Sequence, residues 1–106
     1  MPAPLSPLES TADEAIRCWP GVRAKNVFGH RGFVRDGRMF AFFAEDGLAF
    51  KAQRRTAEAL YAAGLATPYA YGGGMQMRGW PIVPLANAEQ LADALTAAHD
   101  AYEGVG

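Results

Sequence analysis

Few side chains among the 106 residues are of a type that makes or breaks bonds, and they do not cluster. His30 and His99 are the only histidines, and Cys18 is the only cysteine. A zinc site takes three or four such ligands at suitable spacing, so no metal is expected. A reactive cysteine needs a base or a nearby cation to hold its thiolate. Cys18 sits beside Trp19 on a predicted helix, where a buried and inert thiol is expected. Gly72-Gly73-Gly74 has the look of a phosphate-binding loop, but such a loop feeds a helix N-terminus and usually carries a lysine. Met75-Gln76-Met77 follows instead and reads as a strand, so a hairpin is expected. Asp36, Glu45 and Asp46 fall in predicted turns, where acids are ordinary. The sequence therefore predicts no catalytic residue, no cofactor and no metal, and not an enzyme.

One constellation remains, and it is basic. Residues 17–55 hold nine cations against three acids, a net of +6, whereas the rest of the chain holds Arg78 against eight acids, a net of −7. The whole-chain charge of −1 hides this division. Within the basic segment, Arg23, Lys25, Arg35 and Arg38 fall in predicted strands, and Arg31 falls immediately before one. Side chains two apart in a strand share a face. Arg23 is thus matched with Lys25, and Arg31 with Arg35 across Phe33. An exposed basic sheet face could hold an anionic partner, nucleic acid included. The simpler reading is a solvated sheet edge whose charges prevent aggregation. The sequence pI near 6.1 ranks nucleic acid behind a protein partner.

These residues need a scaffold, and the pattern supplies one of order α-β-β-β-β-α-β-β-α. Ser6-Pro7-Leu8-Glu9 has the Ser-x-x-Glu spacing of a capping box, with proline where its missing N–H does no harm. Ser10 is a competing start. Leu8, Ala12, Ala15, Ile16 and Trp19 line one helical face, and Pro20-Gly21 stops the helix. Four strands are expected near 22–28, 32–36, 38–44 and 47–51. Asp36-Gly37 and Asp46-Gly47 mark hairpins, and Gly29 and Gly32 bracket a further turn. A second helix is expected over 53–63, with Ala57, Leu60 and Tyr61 inward and Gly64 as its cap. Two short strands follow near 68–71 and 75–78. Asn87, with Gln90 three residues on, opens a last helix on which Leu91, Leu95, Ala98 and Tyr102 recur, ending at Gly104.

The fold class is therefore α+β, with three helices and an antiparallel sheet of five or six strands. The length suits a single domain over 1–106, with a proline-rich tail over about 1–7. No apolar run approaches the ~20 residues of a membrane span, and the first seven residues lack the features of a signal peptide. With one cysteine and no disulfide, a cytoplasmic protein is expected. Phe33, Phe40, Phe42, Phe43 and Phe50 are more aromatics than one face of a short sheet should need, which points to a homodimer interface.

The stretch Val27-Phe28-Gly29-His30-Arg31-Gly32-Phe33-Val34-Arg35-Asp36-Gly37-Arg38-Met39-Phe40-Ala41 resembles the N-terminal domain of the TfoX/Sxy competence regulators. Their pattern there is roughly Met-Phe-Gly, two residues, Gly, an apolar strand, Asp-Gly, and a strand opening on a basic residue and Phe-Ala. Val27 stands where that family often has Met. Leu48-Ala49-Phe50-Lys51, Pro68-Tyr69-Ala70-Tyr71, Met75-Gln76-Met77 and Trp80-Pro81-Ile82-Val83-Pro84 extend the likeness, so that it covers about residues 10–103. The resemblance implies an α+β fold like that of secretion chaperones. It also implies a regulatory or protein-interaction role without a known reaction. The two-domain competence regulators carry a second, C-terminal domain that these residues do not match, so competence regulation itself is not carried over.

Overall fold

The computed structural model describes residues 5–27, 29–45, 47–71 and 74–105. Three helices and six strands follow the expected order. They are α1 (Pro7–Arg17), β1 (Val22–Val27), β2 (His30–Arg35), β3 (Arg38–Ala44), β4 (Gly47–Phe50), α2 (Arg54–Ala62), β5 (Thr67–Tyr71), β6 (Met75–Pro84) and α3 (Ala88–Val105). The strands form one antiparallel sheet in the order β1-β2-β3-β4-β6-β5.

Local chemistry sets the helix ends. The Ser6 hydroxyl accepts from the Glu9 N–H at 3.2 Å, and the Glu9 carboxylate accepts from the Ser6 N–H at 2.9 Å. Two of the N–H groups orphaned at the start of α1 are satisfied this way. At the end of α2, Gly64 takes φ +72°, its N–H donates to the Tyr61 carbonyl, and the Leu65 N–H donates to the Leu60 carbonyl. This is the Schellman closure, which favours glycine because of the positive φ. Asn87 accepts from the Gln90 N–H at 2.8 Å, while the Gln90 side chain accepts from the Ala86 N–H. The last helix runs through Gly104 to Val105, one residue past its expected stop.

Between helices and sheet lies the main core. Ala12 and Ile16 of α1 and Ala94, Ala98, Ala101 and Tyr102 of α3 meet Phe33, Phe40, Ala41, Phe43, Leu48, Phe50 and Val83 of the strands. Leu60 and Tyr61 of α2 pack against the same cluster. The pairing of β2 with β3 shifts register between Phe33 and Val34, so that Ala41 pairs with Phe33 and Met39 with Val34. Phe40 is the extra residue. Such a bulge turns two successive side chains toward one side, which explains why both Phe40 and Ala41 enter the helix-side core.

The opposite face carries a second cluster of Phe42, Ala44, Ala49, Tyr69 and Ile82, with Met39 and Trp80 packed on it. Its burial comes from curvature of the sheet. His30 on β2 and Tyr69 on β5 are four steps apart in the strand order, which would separate them by about 19 Å in a flat sheet. Their ring centroids lie 6.4 Å apart. The sheet therefore curls until this face partly covers itself, leaving Phe42 only 8% and Tyr69 only 9% exposed.

Several expectations are corrected. All five phenylalanines thought to be surplus are buried within the chain, so none of them calls for a second copy. Gly32 is not a turn residue: it pairs with Lys25 and Phe42 inside β2. A Cβ there would lie 2.9 Å from Met39 Cε and 3.2 Å from the Lys25 carbonyl oxygen, so glycine serves close packing. Gly47 opens β4 opposite Ala44, at the expected start of that strand. Glu45 takes φ +50°, and Asp46 lies outside the described residues. His30 opens β2 instead of lying in the turn. β6 runs ten residues, absorbing Trp80–Pro84, because Pro81 pairs with Pro68 where the β5–β6 register shifts and neither proline owes the ladder an N–H. Of the triple glycine, Gly72 and Gly73 lie outside the described residues, but Tyr71 pairs with Met75 across the antiparallel connection.

Candidate functional site

The fold divides the five singled-out cations. Pairing of β1 with β2 sets Val22, Ala24 and Asn26 opposite Arg35, Phe33 and Arg31. Phe33 is wholly buried against the helices, so Arg31 and Arg35 share that helix-facing side. Arg31 reaches α1, where its Nε donates to Asp13 Oδ1 at 2.9 Å. Arg17 donates to the other oxygen of the same carboxylate at 2.7 Å. Asp13 is the one buried acid among the described residues, and two guanidinium groups compensate its charge. Arg35 reaches α3: its guanidinium lies 4.1 Å from the Tyr102 ring centroid and donates to the Tyr102 carbonyl at 2.9 Å. Arg31 and Arg35 thus fasten helices to sheet and are not an exposed anion-binding pair.

Arg23 and Lys25 lie on the other side of edge strand β1, opposite Val34 and Gly32, and both are exposed. Arg38 pairs with Arg35 and faces the helix side. The sequence-predicted constellation is therefore two separate features, a β1 pair and Arg38, with the other two arginines engaged inside the fold.

Arg38 has different company. With Lys51 it lines a groove of about 420 Å³ between the β4–α2 connection and the last turns of α3. Phe50, Ala52, Ala97, Ala101 and Val105 make the apolar lining, Gln53 and Thr56 add polar groups, and Asp100 is the one acid. α2 begins at this groove. Its N-cap, Gln53, makes no side-chain capping bond, and its first turn has no acid. Arg54 and Arg55 stand there instead, at the positive end of the helix dipole, where cations are disfavoured. None of Arg38, Lys51, Arg54 and Arg55 forms an ion pair among the described residues. Lys51, Arg54 and Arg55 were counted in the charge of the basic segment but not recognised as a group. The signal was present: Lys51-Ala52-Gln53-Arg54-Arg55 places three cations where a helix start ordinarily draws acids.

On the far side of α2 the electrostatics are self-contained. Arg78 of β6 holds both oxygens of Glu58, with Nε–Oε2 at 2.6 Å and Nη2–Oε1 at 2.7 Å. That bidentate hydrogen bonding pulls the Glu58 carboxyl below its ordinary value and raises Arg78. The Tyr61 hydroxyl donates to the Arg78 carbonyl at 2.9 Å, and burial pushes its pKa up. The shifts thus belong to one brace between α2 and β6.

The remaining reactive types stay apart. Cys18, expected to be buried, is exposed at the C-cap of α1, because the helix turns its core face through Ile16 and Trp19 instead. His99 Nδ1 lies 3.2 Å from Glu103, and its ring meets Trp19 edge-on at 4.9 Å. Among the described residues no group of three or more His, Cys, Asp or Glu is arranged to hold a metal ion. No helix among them is long and apolar enough to cross a membrane.

Three helices stacked on one side of a curled, six-stranded antiparallel sheet, with a basic groove at the α2–α3 end, define an α+β domain with a discrete surface site. The TfoX N-terminal domain family model matches residues 14–104, and the chain belongs to that family. Comparison with curated proteins finds no match.

Proposed function

We propose that this chain is a non-enzymatic regulatory domain of the cytoplasm that acts by binding another protein, and that the groove between α2 and α3 is the surface it uses. The observation that carries the reading is the convergence of Arg38 and Lys51 on an apolar lining, with Arg54 and Arg55 adjoining and none of the four in an ion pair among the described residues. Unanswered charge beside apolar surface is what a partner interface offers. The interior supports the reading in another way. Among the described residues every buried side-chain nitrogen or oxygen has a hydrogen-bond partner, and the shifted titratable groups brace α2 to β6.

A photo-crosslinking amino acid at Thr56, inside the groove, tests this in the source cell. A control goes at Met75, on the β5–β6 hairpin and 70% exposed. The expected result is a discrete protein adduct at Thr56 that disappears on Lys51→Glu. Equal labelling from both positions, or nucleic acid alone at Thr56, would reject the reading.

A further inference from the structure

Resting on the interaction reading above, we propose that the groove receives a short acidic segment of the partner, seated by one apolar side chain. Charge decides the sign. Arg38 and Lys51 line the groove, and its only acid, Asp100, lies within ion-pair distance of no cation among the described residues. The chain thus leaves a net positive rim unneutralised, and carboxylates are the complement to it. Ala52, Ala97 and Val105, half-buried on the lining, call for a carbon side chain, which a simple anion lacks. A volume of about 420 Å³ falls within the ordinary range for sites that enclose a small group. It admits one large side chain with its flanking backbone and not the face of a folded domain. A nucleic-acid duplex fits less well, because its phosphates would run on to Asp100 and to Glu103, exposed one turn later on α3.

The test uses the full chain and a fluorescent, end-blocked peptide Asp-Glu-Phe-Asp-Glu, followed by anisotropy. Two companion peptides, Asn-Gln-Phe-Asn-Gln and Asp-Glu-Ala-Asp-Glu, remove the charge and the anchor in turn. Binding of the first should weaken as salt rises. It should fall about tenfold when Arg38→Gln and Lys51→Gln are combined, since both contacts are exposed and screened. Both companions should bind more weakly, and Arg23→Gln with Lys25→Gln should change nothing. Circular dichroism and thermal melting establish that the variants are folded.

Equal affinity for the charged and amide peptides would overturn the proposal. So would insensitivity to the Arg38 and Lys51 changes, or displacement of the peptide by a short duplex at lower concentration than by unlabelled peptide. Inorganic phosphate competing as well as that peptide would also overturn it, by showing that the groove needs only an anion. If the peptide fails while the Thr56 adduct persists in cells, the acidic-segment assignment falls and the interaction reading stands. Loss of the adduct would remove the reading itself.

Discussion

The Arg35 guanidinium sits over the ring of Tyr102 and donates to the backbone carbonyl of that same residue, so one side chain of β2 grips one residue of α3 twice. The Tyr102 hydroxyl in turn donates to the Pro20 carbonyl, just beyond α1. Sheet, last helix and first helix meet at this point, with Trp19 tilted and Phe40 edge-on against the ring. Replacing Arg35 with alanine should cost about 1.5–3 kcal/mol in chemical denaturation, the usual loss for a charged hydrogen bond with its stacking. Tyr102→Phe should cost about 1 kcal/mol. A change below about 0.5 kcal/mol for Arg35→Ala would mean the grip contributes nothing to stability, as at an ordinary surface position.

A thermodynamic cycle on Asp13 and Arg31 should reveal coupling. Asp13 is buried and shares its two oxygens between Arg17 and Arg31. Residues in one ion-pair network couple by about 0.5–3 kcal/mol. The double variant Asp13→Asn with Arg31→Gln should therefore be more stable than the sum of its single variants predicts. Strict additivity would show that the helix-side placement of Arg31 has no energetic consequence.

Acid should weaken the α2–β6 brace in a defined direction. Because the folded Glu58 carboxyl titrates below its ordinary 4.5, its contribution is present above that value. It is lost as pH falls through the lower folded value. Glu58→Gln should accordingly lie below the wild type in stability at neutral pH, and the gap should close below about pH 4.5. Both partners are about 40% exposed, so the gap itself should be small. Melting curves taken from pH 7 down to pH 3 would read it. A gap that widens on acidification would contradict the assignment.

Edge strand β1 presents Arg23 and Lys25 together. If two copies met antiparallel along β1 about Ala24, Arg23 of one would stand opposite Lys25 of the other, and like charges opposed in a ladder are destabilising. Arg23→Thr with Lys25→Thr should promote self-association, visible as a rise in mass by light scattering. Unchanged mass would show that these charges do not guard the edge. The same pair bounds nucleic-acid binding. With Arg31 and Arg35 engaged inside the fold, a duplex on this face meets two cations. Any residual binding should then show a log–log salt slope of about −1.8, where five contacts would give about −4.5.

Gly47 supplies a packing test. A Cβ there would lie 2.6 Å from the Val83 carbonyl oxygen and 2.7 Å from Ile82 Cγ2. Since one of those atoms is backbone, the strand must shift. Gly47→Ala should lose about 1–3 kcal/mol by denaturation, whereas Gly104→Ala, with open space around it, should not.

Most of the architecture was legible because its signals are local. Ser6 and Glu9 close their capping box, and Asp36 and Gly37 take φ +53° and +78° in the hairpin turn their sequence announces. The error at Gly32 has a physical cause. Glycine serves both turn geometry and close packing, and only the neighbouring strand tells which. Alternation correctly placed Arg31 and Arg35 on one face but not on a chosen side. Phe33 between them carried that information, since residues flanking a core phenylalanine at two-residue spacing also face the core. The groove was hidden for a different reason: Arg38 and Lys51 meet Ala97 and Ala101 only after α3 returns across the sheet, a contact no window of sequence contains.

The closeness of His30 and Tyr69 across the far face has a consequence for growth at the margins. A flat sheet with two open borders can extend indefinitely, each added strand leaving the same border behind it. Here the curvature brings β2 and β5 together over the packed cluster around Phe42, so the border strands β1 and β5 turn toward each other. Strands added at either border would follow that curvature and narrow the remaining gap, so recruitment along both margins tends toward closure and not toward an endless ribbon.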